Sequence, residues 1–171
     1  MGEVRVKVKL TNTADAAAAA AGKLPAEAVR TVEADALVDT GAIRSCVPGP
    51  LLARLGVQPV EKIMVEYADG RKEAVGRAEG IRFEIMHRGS SDDALEVGDE
   101  VLIGQTLLEK MDLLVDCARQ RLVPNPAHPD VAVNKLKRAA FWVGDEKPVA
   151  SGLEEPVTNS KLQTSKKFQL R

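Results

Sequence analysis

The sequence contains few aromatic residues and few cysteines. Aromatic residues make up 3% of the 171 residues and hydrophobic residues 44%, so a core of this chain has to be largely aliphatic. Cys46 and Cys117 stand far apart, and neither belongs to a Cys-x-x-Cys motif. The spacing argues against a redox motif or a metal site and predicts two free thiols, no metal and no cofactor.

The chain also has no excess of charge of either sign and no long apolar run. Its formal net charge is -1, whereas a nucleic-acid-binding protein normally presents a basic face, so we expect no nucleic-acid partner. No apolar stretch approaches the length of a membrane span, and residues 1–10 contain no apolar signal region. The composition predicts a cytoplasmic protein without a membrane partner.

Alternating apolar and polar residues indicate a mainly β fold. Residues 4–11 and 32–38 alternate in the manner of half-buried strands. Between them, residues 14–30 look like an insertion without chemistry. Its alanine-rich part fits either a short helix, capped by Thr13 and ended by Gly22, or a disordered loop.

The middle of the chain predicts hairpins. Residues 63–67 and 72–79 flank Asp69-Gly70, which is a strong hairpin signal. Residues 81–85 and 95–97 predict two further strands, joined by a polar loop with the sequence GSSDD.

Two short helices and a last hairpin complete the prediction. One helix follows Pro50 and ends at Gly56, and a capping box at Thr106–Glu109 predicts the start of the other. Apolar residues on both sides of the sequence CARQ, residues 117–120, predict a hairpin.

Two apolar stretches end in residues that are candidates for a functional site. Ala36-Leu37-Val38 runs directly into Asp39-Thr40-Gly41, and residues 101–103 run into Gly104. Burial of a carboxylate at the end of such a strand costs free energy unless the group is paired or hydrogen-bonded. Either Asp39 caps an ordinary turn, or the chain delivers its carboxylate to a chosen place.

This combination resembles the retropepsin-like aspartic proteases, and among them the bacterial and cellular members. The resemblance is carried by residues 36–42 (ALVDTGA), the hairpin around Asp69-Gly70 and residues 101–108 (VLIGQTLL), in the family's order and spacing. It implies an all-β fold: a closed barrel with a flap hairpin and one or two short helices, in an obligate homodimer. The implied protease domain covers residues 1–124, and residues 125–171 form a partly disordered C-terminal extension.

The resemblance also implies an activity and the residues that perform it. The chain would be an aspartic endopeptidase in which two Asp39 carboxylates, one from each copy, share a proton and activate water. Its partners would be a second copy of itself and a peptide or protein substrate. The implied site consists of the catalytic Asp39, the loop residues Thr40, Gly41 and Ala42, the supporting Ile103 and Gly104, and the flap residues Tyr67, Ala68, Asp69 and Gly70.

The sequence departs from the retroviral members at one pair of positions. Those members follow the motif with an acid and carry an arginine after the second glycine, and the two residues form an ion pair. In this chain Ile43 and Gln105 occupy the two positions. Both charged partners of the ion pair are therefore absent, and neither is left unpaired.

Other interpretations stay open at this point. The chain could be a catalytically silent dimeric module that binds extended peptides, or a small barrel without a groove. Ser45 has no histidine nearby in sequence, and we expect His87 and His128 on the surface. The apolar stretch 139–143 could occupy the cleft of a dimer or pack against the barrel.

Overall fold

Strands make up most of the ordered elements in the computed structural model, which describes residues 3–134. In chain order the elements are β1 (Val4–Asn12), α1 (Thr13–Ala20), a 3₁₀ turn (Ala26–Ala28), β2 (Thr31–Asp39), β3 (Ser45–Cys46), α2 (Gly49–Leu55), β4 (Pro59–Glu66), β5 (Lys72–Ile85), β6 (Arg88–Glu96), β7 (Val101–Gly104), α3 (Gln105–Lys110), β8 (Leu113–Asp116) and β9 (Arg121–Pro124).

Six strands close into a barrel. Their order is β1-β2-β7-β3-β6-β5, and the ring closes because β1 pairs with β5 as well as with β2. Most neighbours are antiparallel, but β2 and β7 run parallel, as do β3 and β6. The predicted all-β closed barrel with short helices is confirmed. Strand β4 extends the sheet beyond the ring by pairing with β5, and β8 and β9 form a separate hairpin around CARQ, as predicted.

A single bent strand replaces the two strands expected between residues 72 and 85. The pairing of β5 with β6 slips by one residue between Ala78 and Ile81, where Gly80 has a φ of +79°. A bulge of this kind bends a strand. The first half of β5 therefore pairs with β4, and the second half closes the barrel on β1.

The predicted loop at GSSDD is wrong. These residues lie inside β6 and pair with β5, and the chain turns earlier, at Met86 and His87. Both turn residues have positive φ, 51° and 65°. Neither methionine nor histidine is typical of such a turn, so the local sequence pattern did not predict a turn at these two residues. His87 is exposed, as expected.

The core is aliphatic, as the composition requires. Phe83 is fully buried and is the one aromatic side chain of the core among the described residues. Buried leucine, isoleucine and valine side chains from the barrel strands surround it together with α2 and α3. Burial of each such side chain contributes about 1.5–3 kcal/mol.

The alanine-rich insertion contains a helix, which decides between the two open alternatives. The predicted cap at Thr13 is wrong, because Asn12 caps the helix instead. Its Oδ1 accepts from the backbone N–H groups of Ala14 and Asp15, at 2.9 and 3.1 Å. The same side chain donates to the Leu55 carbonyl at 2.9 Å and so ties the insertion to the end of α2.

An ion pair closes the insertion on itself. The Arg30 Nε and Nη2 donate to the two Asp15 carboxylate oxygens at 2.6 and 2.8 Å, and the Arg30 backbone N–H donates at 3.1 Å. These hydrogen bonds lower the pKa of Asp15 to about 2. The guanidinium lies against Gly56, which ends α2 with a φ of +64°. Gly56 ends α2 as predicted, whereas the helix begins at Gly49, one residue before the predicted Pro50.

Replacement of Asp15 by Asn should lower the melting temperature at pH 6 but not near pH 2. Asp15 has a depressed pKa in the folded state, so its contribution exists above the unfolded-state value and is lost as the pH falls toward about 2. Thermal unfolding of both proteins between pH 6 and pH 2 measures this. Asp35→Asn, which removes an exposed ion pair with Lys7, is the control and should have little effect. A difference in melting temperature between Asp15→Asn and the wild-type protein that grew on acidification would contradict the lowered pKa of Asp15.

The helix α3 begins one residue earlier than the predicted capping box. Gly104 is its N-cap and Gln105 its first residue, so Thr106 lies inside the first turn and does not cap the helix. The helix follows β7 without an intervening loop. A capping residue has extended backbone, and here the last residue of the strand takes that position.

Residues after β9 remain in contact with the barrel. Asp112 accepts hydrogen bonds from the Asn125 side chain at 2.8 Å and the Val133 backbone N–H at 3.2 Å, and it pairs with His128 at 2.7 Å. The bond from Asn125 is the largest of the contacts that lower the pKa of Asp112. The side chain of His128 is 24% exposed, so it lies at the surface but is partly covered by this contact. The boundary at residue 124 stays a prediction, and the stretch 139–143 lies outside the described residues.

Candidate active site

Parallel pairing brings the two motif stretches to the same end of the barrel. In the register of β2 and β7, Val38 lies opposite Ile103 and Asp39 lies opposite Gly104. Strands that run parallel deliver their carboxyl ends to one edge, so the carboxylate of Asp39 and the start of α3 meet there. The side chain of Asp39 is half-buried. The predicted catalytic residue and the two predicted supporting residues therefore form one site.

The loop after Asp39 is held by backbone hydrogen bonds. The Gly41 N–H donates to Asp39 Oδ1 at 2.8 Å, and the Ala42 N–H donates to the Asp39 carbonyl at 3.3 Å. The N–H groups of Gln105 and Thr106 donate to the carbonyls of residues 42 and 43, at 2.8 and 3.2 Å. The free N–H groups of the first turn of α3 thus anchor the loop.

Gly104 allows the loop to approach the strand closely. A Cβ at this position would lie 2.5 Å from the Arg44 carbonyl carbon and 3.0 Å from the Ala42 carbonyl oxygen. The Gly104 N–H donates to the hydroxyl of Ser45, whose side chain is buried, at 3.1 Å. Ser45 therefore supports the loop through its hydroxyl, a role that the sequence did not indicate.

Replacement of Gly104 by Ala should distort the loop and destabilise the protein by about 1–3 kcal/mol, as overpacking does. The added methyl group meets backbone atoms, which cannot rotate away. Urea unfolding measures the loss. Gly89→Ala is a matched control, because the methyl group there meets only the end of the flexible Arg82 side chain. Equal stability of Gly104→Ala and the wild-type protein would mean that the close approach has no consequence.

The positions of the missing retroviral ion pair have other contacts. The Gln105 side chain donates to Glu109 Oε1 at 2.9 Å, within α3. The Ile43 side chain is 76% exposed and contributes to the loop through its backbone carbonyl. Backbone hydrogen bonds from α3 therefore join loop and helix where the retroviral members use charges.

The environment of the Cys46 thiol disfavours its thiolate form. Burial raises the pKa of Cys46, and the charge of Asp39 raises it further. A thiol with a raised pKa is protonated at neutral pH and unreactive. Both cysteines are free, as predicted.

The predicted flap forms the tip of the β4–β5 hairpin and is braced by its own residues. The Tyr67 N–H donates to the Arg71 carbonyl at 2.8 Å, and Gly70 takes a φ of +81°. The Arg71 guanidinium bonds the Asp69 carboxylate at 2.7 Å and lies 5.0 Å from the centre of the Tyr67 ring. Ala68, Asp69 and Gly70 are exposed.

The Tyr67 hydroxyl donates to Glu73 at 2.8 Å and so ties the side chain to the second strand of its own hairpin. This hydrogen bond is the main cause that raises the pKa of Tyr67, followed by burial.

Residues 3–134 contain no cluster of three or more histidine, cysteine or acidic side chains that could hold a metal ion. In the same part of the chain, no helix combines the length and the apolar character needed to cross a membrane.

Comparison with known proteins gives structural similarity without sequence similarity. No family model matches the chain, and no curated protein matches it. It is similar to the solution structure of Simian Foamy Virus (mac) protease, with 15% identity and a TM-score of 0.36, over 61% of this chain and 90% of that chain. It is also similar to the foamy viral protease-reverse transcriptase in complex with RNA/DNA hybrid, with 16% identity and a TM-score of 0.39. That match covers 62% of this chain and only 11% of the other.

The fold of the described residues is retropepsin-like. The closed barrel, the Asp-Thr-Gly loop after β2, the parallel β7 that continues into α3, and the β4–β5 hairpin are all present in the order the resemblance implies. Membership of the bacterial or cellular branch stays a prediction.

Proposed function

We propose that this protein is an aspartic endopeptidase that acts as a homodimer. The observation that carries the proposal is the position of Asp39: its carboxylate is half-buried at the end of a barrel strand, opposite Gly104, and accepts the Gly41 N–H. A carboxylate oriented in this way by a backbone N–H is suited to acid–base catalysis.

The chemistry requires two such carboxylates. When two carboxylates lie within hydrogen-bond distance, they cannot both ionise easily and share one proton. The ionised one removes a proton from water, which attacks the peptide carbonyl, and the protonated one donates to the leaving group. The sequence contains a single Asp-Thr-Gly, so the second carboxylate comes from a second copy related by a two-fold axis.

Exposed residues beside the site support a dimer and a peptide substrate. The exposed Ile43 and Thr40 belong to the loop that would meet its symmetry mate at the axis. The β4–β5 hairpin would cover an extended peptide, with Tyr67, Ala68, Asp69 and Gly70 at its tip. Main-chain hydrogen bonds to such a peptide are a common way of binding extended chains.

Dilution tests the proposal. The pure protein is incubated with a diverse peptide library from acid to neutral pH, and cleavage is measured by mass spectrometry while sedimentation reports the dimer fraction. We expect cleavage, with an activity per chain that falls when dilution separates the copies. Constant activity per chain in a monomer would contradict the dimer. A dimer that binds library peptides but cleaves none at any pH would be the silent peptide-binding module.

A further inference from the structure

Ion pairs join the Asp39 loop to the strands of the hairpin. Arg44, which lies in the loop, pairs with Asp93 of β6. The same Asp93 oxygen accepts from Nη1 of Arg77, on β5, at 3.2 Å. The Arg77 Nε donates in turn to Glu61 of β4 at 2.6 Å. One carboxylate therefore connects segments that are distant in sequence.

The centre of this network is partly withdrawn from solvent. The side chains of Asp93 and Arg77 are each 20% exposed, so their interaction is screened less than that of the exposed surface pairs. Burial raises the pKa of Asp93, but the charges and hydrogen bonds of Arg44 and Arg77 outweigh it, and the net effect lowers the pKa. The network therefore stays charged in mildly acidic solution.

Movement of Arg44 would be transmitted to the carboxylate. The Arg44 backbone lies directly against Gly104, within the distance that excludes a Cβ, and the next residue, Ser45, accepts the Gly104 N–H. Gly104 is the register partner of Asp39. Because these contacts are tight, a shift of the loop at Arg44 displaces the strand ends on which Asp39 sits.

We propose that Asp93 is a positioning residue, which fixes the Asp39 loop through Arg44 and links it to the β4–β5 hairpin through Arg77. The network adds a charged contact at Arg44 to the backbone hydrogen bonds that hold residues 42 and 43 to α3. Its effect on catalysis rests on the proposed peptidase function, whereas its effect on the loop does not.

Replacement of Asp93 by Asn tests the proposal with two measurements. Amide hydrogen exchange at Gly41 and Ala42, whose N–H groups bond Asp39, should become faster. In peptide cleavage we expect kcat to fall about 10-fold with little change in KM, because the loop misplaces the reacting group without removing a substrate contact. Asp93→Glu keeps the charge and should recover part of both effects.

The neighbouring Asp92 supplies a matched control. It also lies on β6 and is partly buried, but its Oδ1 pairs with Lys110 of α3 at 2.8 Å and not with the loop. The same oxygen accepts the Asp93 backbone N–H at 3.0 Å, a bond that the amide oxygen of asparagine can also accept. Asp92→Asn should leave the exchange of residues 41 and 42 and the value of kcat unchanged. In a double-mutant cycle, Arg44→Met should add little to Asp93→Asn, because both remove the same contact.

The outcomes separate this proposal from the proposed function. Unchanged amide exchange at residues 41 and 42 in Asp93→Asn would overturn it, and so would exchange and kcat equal to those of Asp92→Asn. If amide exchange becomes faster in Asp93→Asn while the wild-type protein itself cleaves no peptide, the result supports the positioning role and refutes the peptidase function. Faster exchange with a lowered kcat, partly restored by Asp93→Glu, supports both.

Discussion

Replacement of Asp39 by Asn should abolish peptide cleavage, with kcat lower by a factor of about 10⁴ or more, the upper range for loss of acid–base catalysis. The amide has nearly the shape of the carboxylate but cannot serve as the general base that takes a proton from the attacking water. Its oxygen can still accept the Gly41 N–H, which bonds Asp39 at 2.8 Å, so we expect the loop and the dimer to persist. Cleavage of a fluorogenic peptide chosen from the library measures the loss.

Two further variants make this experiment decisive. Asp35→Asn changes an exposed carboxylate on the same strand and should leave cleavage unchanged. The second variant is a tandem protein in which a flexible linker joins two copies and Asn replaces one of the two Asp39 residues. It should be as inactive as the tandem protein with Asn at both positions, because the shared proton requires both carboxylates. Full activity of that tandem protein would show that one carboxylate suffices and would refute the proposed mechanism.

Replacement of Arg88 by Met should destabilise the protein by about 3–5 kcal/mol, because several carbonyls lose their donor together and each unsatisfied buried group costs about 1–3 kcal/mol. Arg88 is 7% exposed, and its Nη1 donates to the carbonyls of Met111 and Asp112 at 3.0 and 2.7 Å. Its Nη2 donates to the carbonyls of His128 and Pro129. Methionine fills the space of the stem but leaves these carbonyls without a donor. Urea unfolding at pH 7 measures the change.

Amide exchange and a surface control show where the loss arises. Exchange should become faster at Val133, whose N–H is held by Asp112 at 3.2 Å, because Arg88 ties this segment to β6. Arg119→Met removes an arginine that is 70% exposed and pairs with Asp116 at the surface, and it should change stability little. An Arg88→Met protein as stable as Arg119→Met would show that water replaces the lost donors.

Local patterns in the sequence were sufficient for several elements. The alternation in β1 and β2, the Asp-Gly turn, the glycine end of α2 and the hairpin around CARQ all appear as predicted. Each depends on residues within a few positions of one another. Turn residues, proline and glycine restrict the backbone locally, whatever the rest of the chain does.

Local sequence patterns did not indicate the observed conformation where contacts between distant residues determine it. The sequence GSSDD has the composition of a loop, yet it is paired with β5 on one side, and Met86 and His87 turn instead. Thr106 matches a capping box, but the direct continuation of β7 into α3 gives that position to Gly104. Tertiary pairing overrides weak local preference in both places.

The sequence by itself therefore determined the aliphatic composition of the core, the strands β1 and β2 and the hairpins at Asp69-Gly70 and CARQ, and it singled out Asp39 as the candidate on which a function would depend. Only the tertiary structure decided that β1 closes on β5, that Asp39 lies opposite Gly104, and that Arg44, Asp93 and Arg77 meet. Periodicity reports which face of a strand is buried, but it carries no information on which distant strand will lie beside it. That choice is made when the closed barrel buries all its apolar faces together and pairs its backbone groups.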